Sequence, residues 1–467
     1  MRIVVEQSQK VGMPPRERAE LVLDYVQVGE LYETYEARIA AVTRALEPLL
    51  AIEDPSVDDR LLIARLRQWE AYLIYSGSES GVERVRAIIA AGLETLEGIG
   101  PCAERASLLH RLGWVAWRAG PVSEARPALE AALKEARAAG SARFERWALH
   151  DLGLARTRGT PDPEGLGMME KSMELAREAN DVPLLMRSYI NLGAMRMAFD
   201  DRPSAIALWE EGLTRARRSG DRHSVFWIAN NLAQTLSEVG RLTDALPLHR
   251  AAIEAAAAIG LLRAGVPEYA WTLLHLGRID EARAAWEDAR EAEGTPEPQM
   301  IGIWRVMNAL LSWGTDPQAS VAGLRRAIDA AAAAAAEDQV LYVSGPLARM
   351  ALRISDDDAL QIAVEGIESA VANWPTASTS AQAARVAALR DAGPATAAAR
   401  LAEAAERLRG LGRSLEAAEA YADAALLAAR ANQANDEWAD RAAALYAECS
   451  AVPVLDILQA SARQKSV

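Results

Sequence analysis

Lysine is nearly missing from this chain of 467 residues, standing only at Lys10, Lys134, Lys171 and Lys465. The basic side is therefore arginine, and it is outnumbered: 51 Lys and Arg face 65 Asp and Glu, for a formal net charge of -14. A protein that tracks phosphates needs the opposite balance or a concentrated basic stripe, so direct nucleic-acid binding is not expected. Cysteine is equally scarce. Cys102 and Cys449 lie far apart and fit neither a redox nor a zinc motif, which suits a reducing compartment and leads us to expect a cytoplasmic protein. No apolar run approaches the roughly 20 residues that a membrane span requires, and the opening MRIVVEQSQK lacks the apolar core of a signal peptide. Phenylalanine occurs only at Phe144, Phe199 and Phe226 and β-branched runs are rare, which argues against a sheet protein.

What remains is rich in alanine and leucine, the residues easiest to place in a helix, and it repeats. Gly113, Gly153 and Gly193 stand 40 residues apart, preceded by Leu112, Leu152 and Leu192, with Leu232-Ala233 one step further on. Twelve residues after each comes another small residue, Ala125, Gly165, Ala205 or Ala245, and four later a larger one, Leu129, Met169, Trp209 or His249. A residue that must be small at a fixed point of every unit marks two helices pressed together, so the unit is a helical hairpin repeated in tandem. The register extends back to Leu73, with Trp69, Val85 and Ile89, and forward with a shortened period to Ala270, Ala282 and Trp286. Gly120, Gly240 and Gly277 fall where a positive φ would end the first helix of a unit. Ser123 and Thr243 fall where the second helix would be capped. After Gly294-Thr295-Pro296-Glu297-Pro298 helices continue but the repeat is unreadable.

The Leu-Gly, turn-Gly, Ala and large-residue series resembles the tetratricopeptide repeat in a long-period form. It is similar to the repeat regions of MalT-type bacterial regulators and of ATPase- and cyclase-associated signalling proteins. The resemblance covers residues 57–293 and implies an all-α, right-handed superhelical solenoid of antiparallel helix pairs. It also implies a sensor or adaptor that binds a partner in a concave groove. Unlike those relatives, the chain has no G-x-x-x-x-G-K-[ST] loop and no basic helix-turn-helix segment. The expected organisation is a tail over 1–16, a clear solenoid over 17–293, and degenerate repeats with capping helices over 294–467.

Taking the small residue of each unit as origin, the groove-facing slots of the first helix collect aromatics, arginine and histidine. They are Arg67, Trp147, Arg187 and Trp227; Glu70, His110, His150 and Asn230; Trp114 and Gln234; Trp117, Arg118 and Arg158; and Trp271 with His275 in the next unit. Indole and guanidinium groups give large contact area and directed donors, suited to anchoring a peptide, a protein segment or a small anionic ligand. The same slots equally suit the plain filling of an inner curve. Glu70, His110 and His150 share one slot in three successive units, which raises the alternative of a metal-dependent enzyme; a purely structural scaffold is the third reading. No nucleophile-elbow or metalloprotease spacing occurs, so the expectation is a non-catalytic binding module without cofactor.

Overall fold

The computed structural model describes residues 12–28, 34–77, 81–119, 122–157, 161–261, 264–289, 301–333, 337–390, 393–433 and 435–465. Among them every regular element is a helix. The chain divides into two compact units, with Ser188 in the first and Tyr189 in the second. The first holds α1 (Pro15–Val28), α2 (Tyr35–Leu50), α3 (Val57–Gly77), α4 (Val82–Thr95), α5 (Ala103–Ala119), α6 (Val122–Ala138), α7 (Ala142–Arg156), α8 (Pro163–Glu178) and the start of α9 (Val182–Ala198). The second holds the rest of α9, α10 (Arg202–Ser219), α11 (Arg222–Glu238), α12 (Leu242–Ala258), α13 (Val266–His275), α14 (Ile279–Ala289), α15 (Ile301–Trp313), α16 (Pro317–Ala333) and α17 (Glu337–Ile354). It continues through α18 (Asp357–Asn373), α19 (Ala377–Ala388), α20 (Pro394–Gly410), α21 (Ser414–Arg430), α22 (Asp436–Glu448) and α23 (Val454–Lys465).

The repeat register is visible as close packing inside each hairpin. A methyl group added to Gly113 would meet the Leu129 side chain at 2.5 Å, and one added to Gly193 would collide with the Trp209 indole. At Gly153 the obstacle is backbone: the Gly165 carbonyl oxygen would lie 2.5 Å away, and a methyl on Gly165 would in turn meet the Gly153 oxygen at 2.8 Å. Ala125, Ala205 and Ala245 are fully buried at the equivalent points, and Trp209 and Trp286 fill the core as expected. Since α7 and α8 touch through backbone at this crossing, no rotamer change relieves an added methyl. Gly153→Ala should lower stability by roughly 1–3 kcal/mol, whereas Gly167→Ala, exposed on α8 with open space around it, should gain up to about 1 kcal/mol of helix propensity. Thermal denaturation of the two variants separates them; equal shifts would refute the packing assigned to this crossing.

Turns follow the sequence with some corrections. Gly240 and Gly277 take positive φ of 83° and 74°, while Gly120 lies outside the described residues. Thr243 does not cap α12, because the helix opens one residue earlier with Arg241 at the cap, and Ser123 likewise lies inside α6. Acids cap three helices of the readable repeats: Asp162, Asp201 and Asp221 accept from the first-turn amides of α8, α10 and α11. Residues 1–11 of the expected tail and the expected break at 294–298 lie outside the described residues, and Pro15 and Arg16 already belong to α1. Arg16 Nε donates to Asp59 at 2.5 Å.

In the second unit a recurring long-range offset ties the chain to itself. Trp374 Nε1 donates to the Ala198 carbonyl at 3.1 Å. Arg202 donates to Ser378 Oγ at 2.9 Å, the Ser378 amide to Asp200 at 2.9 Å, and Arg413 to Glu238 at 3.4 Å. These partners are 175 to 178 residues apart, and the Val452 amide closes onto the His275 carbonyl at 2.8 Å with the same spacing. Hairpins early in the unit thus meet those about 176 residues later, and the space they enclose forms a cavity. No helix among the described residues is long and apolar enough to cross a membrane.

Candidate functional site

The residues expected to share one groove fall into distinct environments. In the first unit the histidine slot organises around an acid the register does not mark. Asp151 is buried; its Oδ2 accepts from His110 Nε2 at 2.8 Å and its Oδ1 from Arg187 Nε and Nη2 at 3.2 and 2.9 Å. Burial works against the Asp151 charge, but Arg187 and the His110 bond outweigh it and hold the carboxyl well below the usual range. Burial shifts His110 downward against the pull of Asp151, and pulls His150, whose Nδ1 lies 3.5 Å from Ser188 Oγ, down to about 4. The Trp147 ring stands edge-on to His110 with centroids 6.0 Å apart, and its Nε1 donates to Asp181 at 3.3 Å.

Glu70, the third member of the suspected metal slot, pairs with Arg67 at 2.7 Å. The three side chains are thus turned to three different partners, and no group of three or more potential ligands gathers among the described residues. That geometry gives the metal-site alternative no support. Trp114 is buried against Tyr72 and Tyr75 with the Arg118 and Arg111 guanidiniums over its ring. Trp117 packs against the cluster of Ala125, Leu129 and Ala148. Arg158 lies outside the described residues.

In the second unit Trp227 stacks on Phe226 and donates to His223 Nε2 at 3.2 Å. Gln234 and Trp271 line a partly open cavity of about 310 Å³, and Asn230, which is not among its lining residues, lies beside Glu268. The cavity walls come from nine helices and from Arg413. α11 gives Gln234, Ser237 and Glu238, α12 gives His249, and α13 gives Glu268, Trp271, Thr272 and His275. α15, α17, α18 and α23 supply mainly apolar surface such as Leu310, Met350, Ile367 and Leu455, while α19 and α21 add Arg385, Glu416 and Glu419.

The cavity's guanidiniums are all matched. Arg349 bonds Asp423 at 2.9 Å and also Glu419, Arg385 bonds Glu419 at 2.9 Å, and Arg413 grips Glu416 with two bonds of 2.6 Å. His275 donates from Nδ1 to the Trp271 carbonyl at 2.9 Å and stacks on the Trp271 ring at 3.8 Å. Glu268 is different. It is 3% exposed and forms no ion pair among the described residues; its Oε1 accepts from Gln234 at 2.9 Å while Oε2 has no hydrogen-bond partner at ordinary distance among them. Burial pushes its carboxyl up to about 7, against its own helix-start amide, Asn230 and Gln234, which favour the charged form. Asn230 Oδ1 and His249 Nδ1 are also buried acceptors without a partner.

Of the slots at Asn230, Gln234, Trp271 and His275, the last three lie on the cavity wall and Asn230 does not. Glu268, Arg349, Arg385 and Glu419 were missed; the first lies outside the slots sampled, and the others lie past the point where the repeat can be read.

A tetratricopeptide-repeat family model matches residues 184–258. Among solved structures, the apo form of the quorum sensor NprR from B. thuringiensis superposes with a TM-score of 0.54 at 12% identity, covering 75% of this chain and 99% of that one. The apo form of RapI gives 0.52 at 12% identity, covering 74% and 97%. No curated protein sequence matches the chain. Repeat register, hairpin packing, family model and structural likeness agree: the chain is an all-α solenoid of the tetratricopeptide-repeat type.

Proposed function

We propose that the chain is a non-catalytic binding module whose second unit receives a peptide, or a side chain of a protein segment, in its central cavity. The observation that carries this reading is the cavity itself. It lies between helices brought together across a 176-residue separation, is lined by apolar side chains alongside matched ion pairs, and holds two buried side-chain atoms that the protein leaves unmatched, Glu268 Oε2 and His249 Nδ1. Interiors ordinarily match such groups, so their clustering marks a place where another molecule completes the bonding. A volume of about 310 Å³ admits a side chain or a short stretch of chain, not a folded domain. The quorum-sensor architecture of the NprR structure is consistent with a sensor of this kind.

A single substitution separates the cavity from the fold. Gly345 lines the cavity from α17, and a side chain placed there meets nothing within 4 Å. Gly345→Leu fills the space. The helix propensity gained, about 1 kcal/mol, is opposed by the strain of a branched residue before Pro346, so stability should move little. Equilibrium dialysis against a random pentapeptide pool, with the retained peptides read by mass spectrometry, should show enrichment by the wild type and none by Gly345→Leu. Retention of the same peptides by both proteins would place binding elsewhere.

A further inference from the structure

The guanidiniums of the cavity already have carboxylates; the carboxylate of Glu268 has no guanidinium or ammonium. An anion entering here would have to displace Glu416, Glu419 or Asp423 from bonds of 2.6 to 2.9 Å. A cation would displace nothing. Oε2 of Glu268, on the first turn of α13, is buried without a hydrogen-bond partner at ordinary distance, and Asn230, whose side chain favours the Glu268 charge, keeps its own Oδ1 unmatched. Both are acceptors, so what the site lacks is a donor with several hydrogens and a positive charge. The cavity wall holds a further acceptor, on His249. Thr272 Oγ1 donates to the Glu268 carbonyl at 3.0 Å, so His249 Nε2, 3.1 Å from the same hydroxyl, carries its ring proton and leaves Nδ1 as a bare acceptor. Ser237 Oγ adds a further contact to Thr272 at 3.0 Å.

We propose that the cavity selects ligands carrying a basic side chain, a lysine ammonium or arginine guanidinium, which seats on the Glu268 carboxylate beside Asn230 and Gln234. This rests on the cavity being the peptide site. The apolar walls accept the aliphatic stem of such a side chain while its head reaches the carboxylate. Without a ligand the carboxyl meets its burial by holding a proton, which fits its upward displacement to about 7. Water can satisfy the acceptors but leaves the charge uncompensated, so the distinguishing property of the site is its preference for a cation over a neutral group of the same shape.

Two pools of N-acetylated, C-amidated pentapeptides test this, identical except that one carries lysine and the other norleucine at each fixed position. Equilibrium dialysis at pH 8 should show the wild type retaining the lysine pool roughly tenfold or more over the norleucine pool. Glu268→Gln, which keeps the shape and removes the charge, should retain both about equally. Gly345→Leu should retain neither. n-Butylamine, the head and stem alone, should compete only at far higher concentration than the peptides; equal potency would overturn a peptide as the source of the cation. Equal retention of the two pools by the wild type, or an unchanged preference in Glu268→Gln, overturns cation selection. If the pools are equal and both are lost in Gly345→Leu, the cavity reading stands while the cation reading falls. Retention that survives Gly345→Leu overturns both.

Discussion

Asp151→Asn is expected to lower stability by roughly 3–5 kcal/mol, the usual consequence of removing one member of a buried ion pair. The carboxylate is buried to 3% exposure and neutralises Arg187 through two hydrogen bonds while orienting His110 through a third. The isosteric amide preserves the volume and can still accept, but it removes the charge, so Arg187 is left without a counter-ion in a mostly dry place. The sign with pH follows from the direction of the shift. A carboxyl held below its unfolded value stabilises the folded chain above that value, and the contribution is lost as pH falls into the strongly acidic range. Urea titrations of wild type and variant at neutral pH measure the difference. A loss below about 1 kcal/mol would mean the pair behaves as a solvated surface bridge.

Glu268→Gln should do the opposite. The carboxyl is raised from its ordinary 4.5 to about 7, so between these values the folded chain keeps a proton that the unfolded chain has released. Stability therefore falls as pH rises through that window. Above it the charge is present and uncompensated, and removing it should stabilise the protein by up to about 3 kcal/mol at pH 8, with the gain shrinking toward pH 5. Paired thermal unfolding curves at the two pH values check this. No gain at pH 8 would show that the carboxylate is compensated in the free protein. A residue that destabilises its own fold in the absence of ligand is what a binding site poised for a cation would retain.

The hairpin register was legible because it depends on a steric requirement that only small residues meet. Gly113, Gly153 and Gly193 stand where leucine, backbone oxygen and indole press against them, and no other residue type could hide that demand. Asn230, Gln234 and Trp271 could be placed by counting from the same origin. Asp151 could not be singled out, since it is one residue past His150 and its role is set by Arg187 on the following unit's first helix. The arginine-carboxylate wall of the cavity was beyond reach for a different reason. Past residue 300 glycines still sit at close contacts, Gly302 against Gln339 and Gly314 against the Leu458 carbonyl, but at no fixed period, so no register stands out. The helix starts at Leu242 and Val122 show the ordinary limit of reading caps from side chains alone.

A linear array of hairpins can lose its end repeats one at a time, because each touches only its neighbours. The second unit is not free to do so. Its bonds at separations of 175 to 178 residues, together with Trp313 Nε1 donating to the Leu455 carbonyl at 3.2 Å, turn an open row into a closed loop. Peeling α23 away would remove Leu455 from the cavity wall and release α15 at once. Unfolding of this unit should therefore be concerted, and its hairpins, quick to form locally, must wait for residues 452–458 before the cavity exists. Binding competence is the last property this part of the chain acquires on folding and the first it forfeits when the loop is opened.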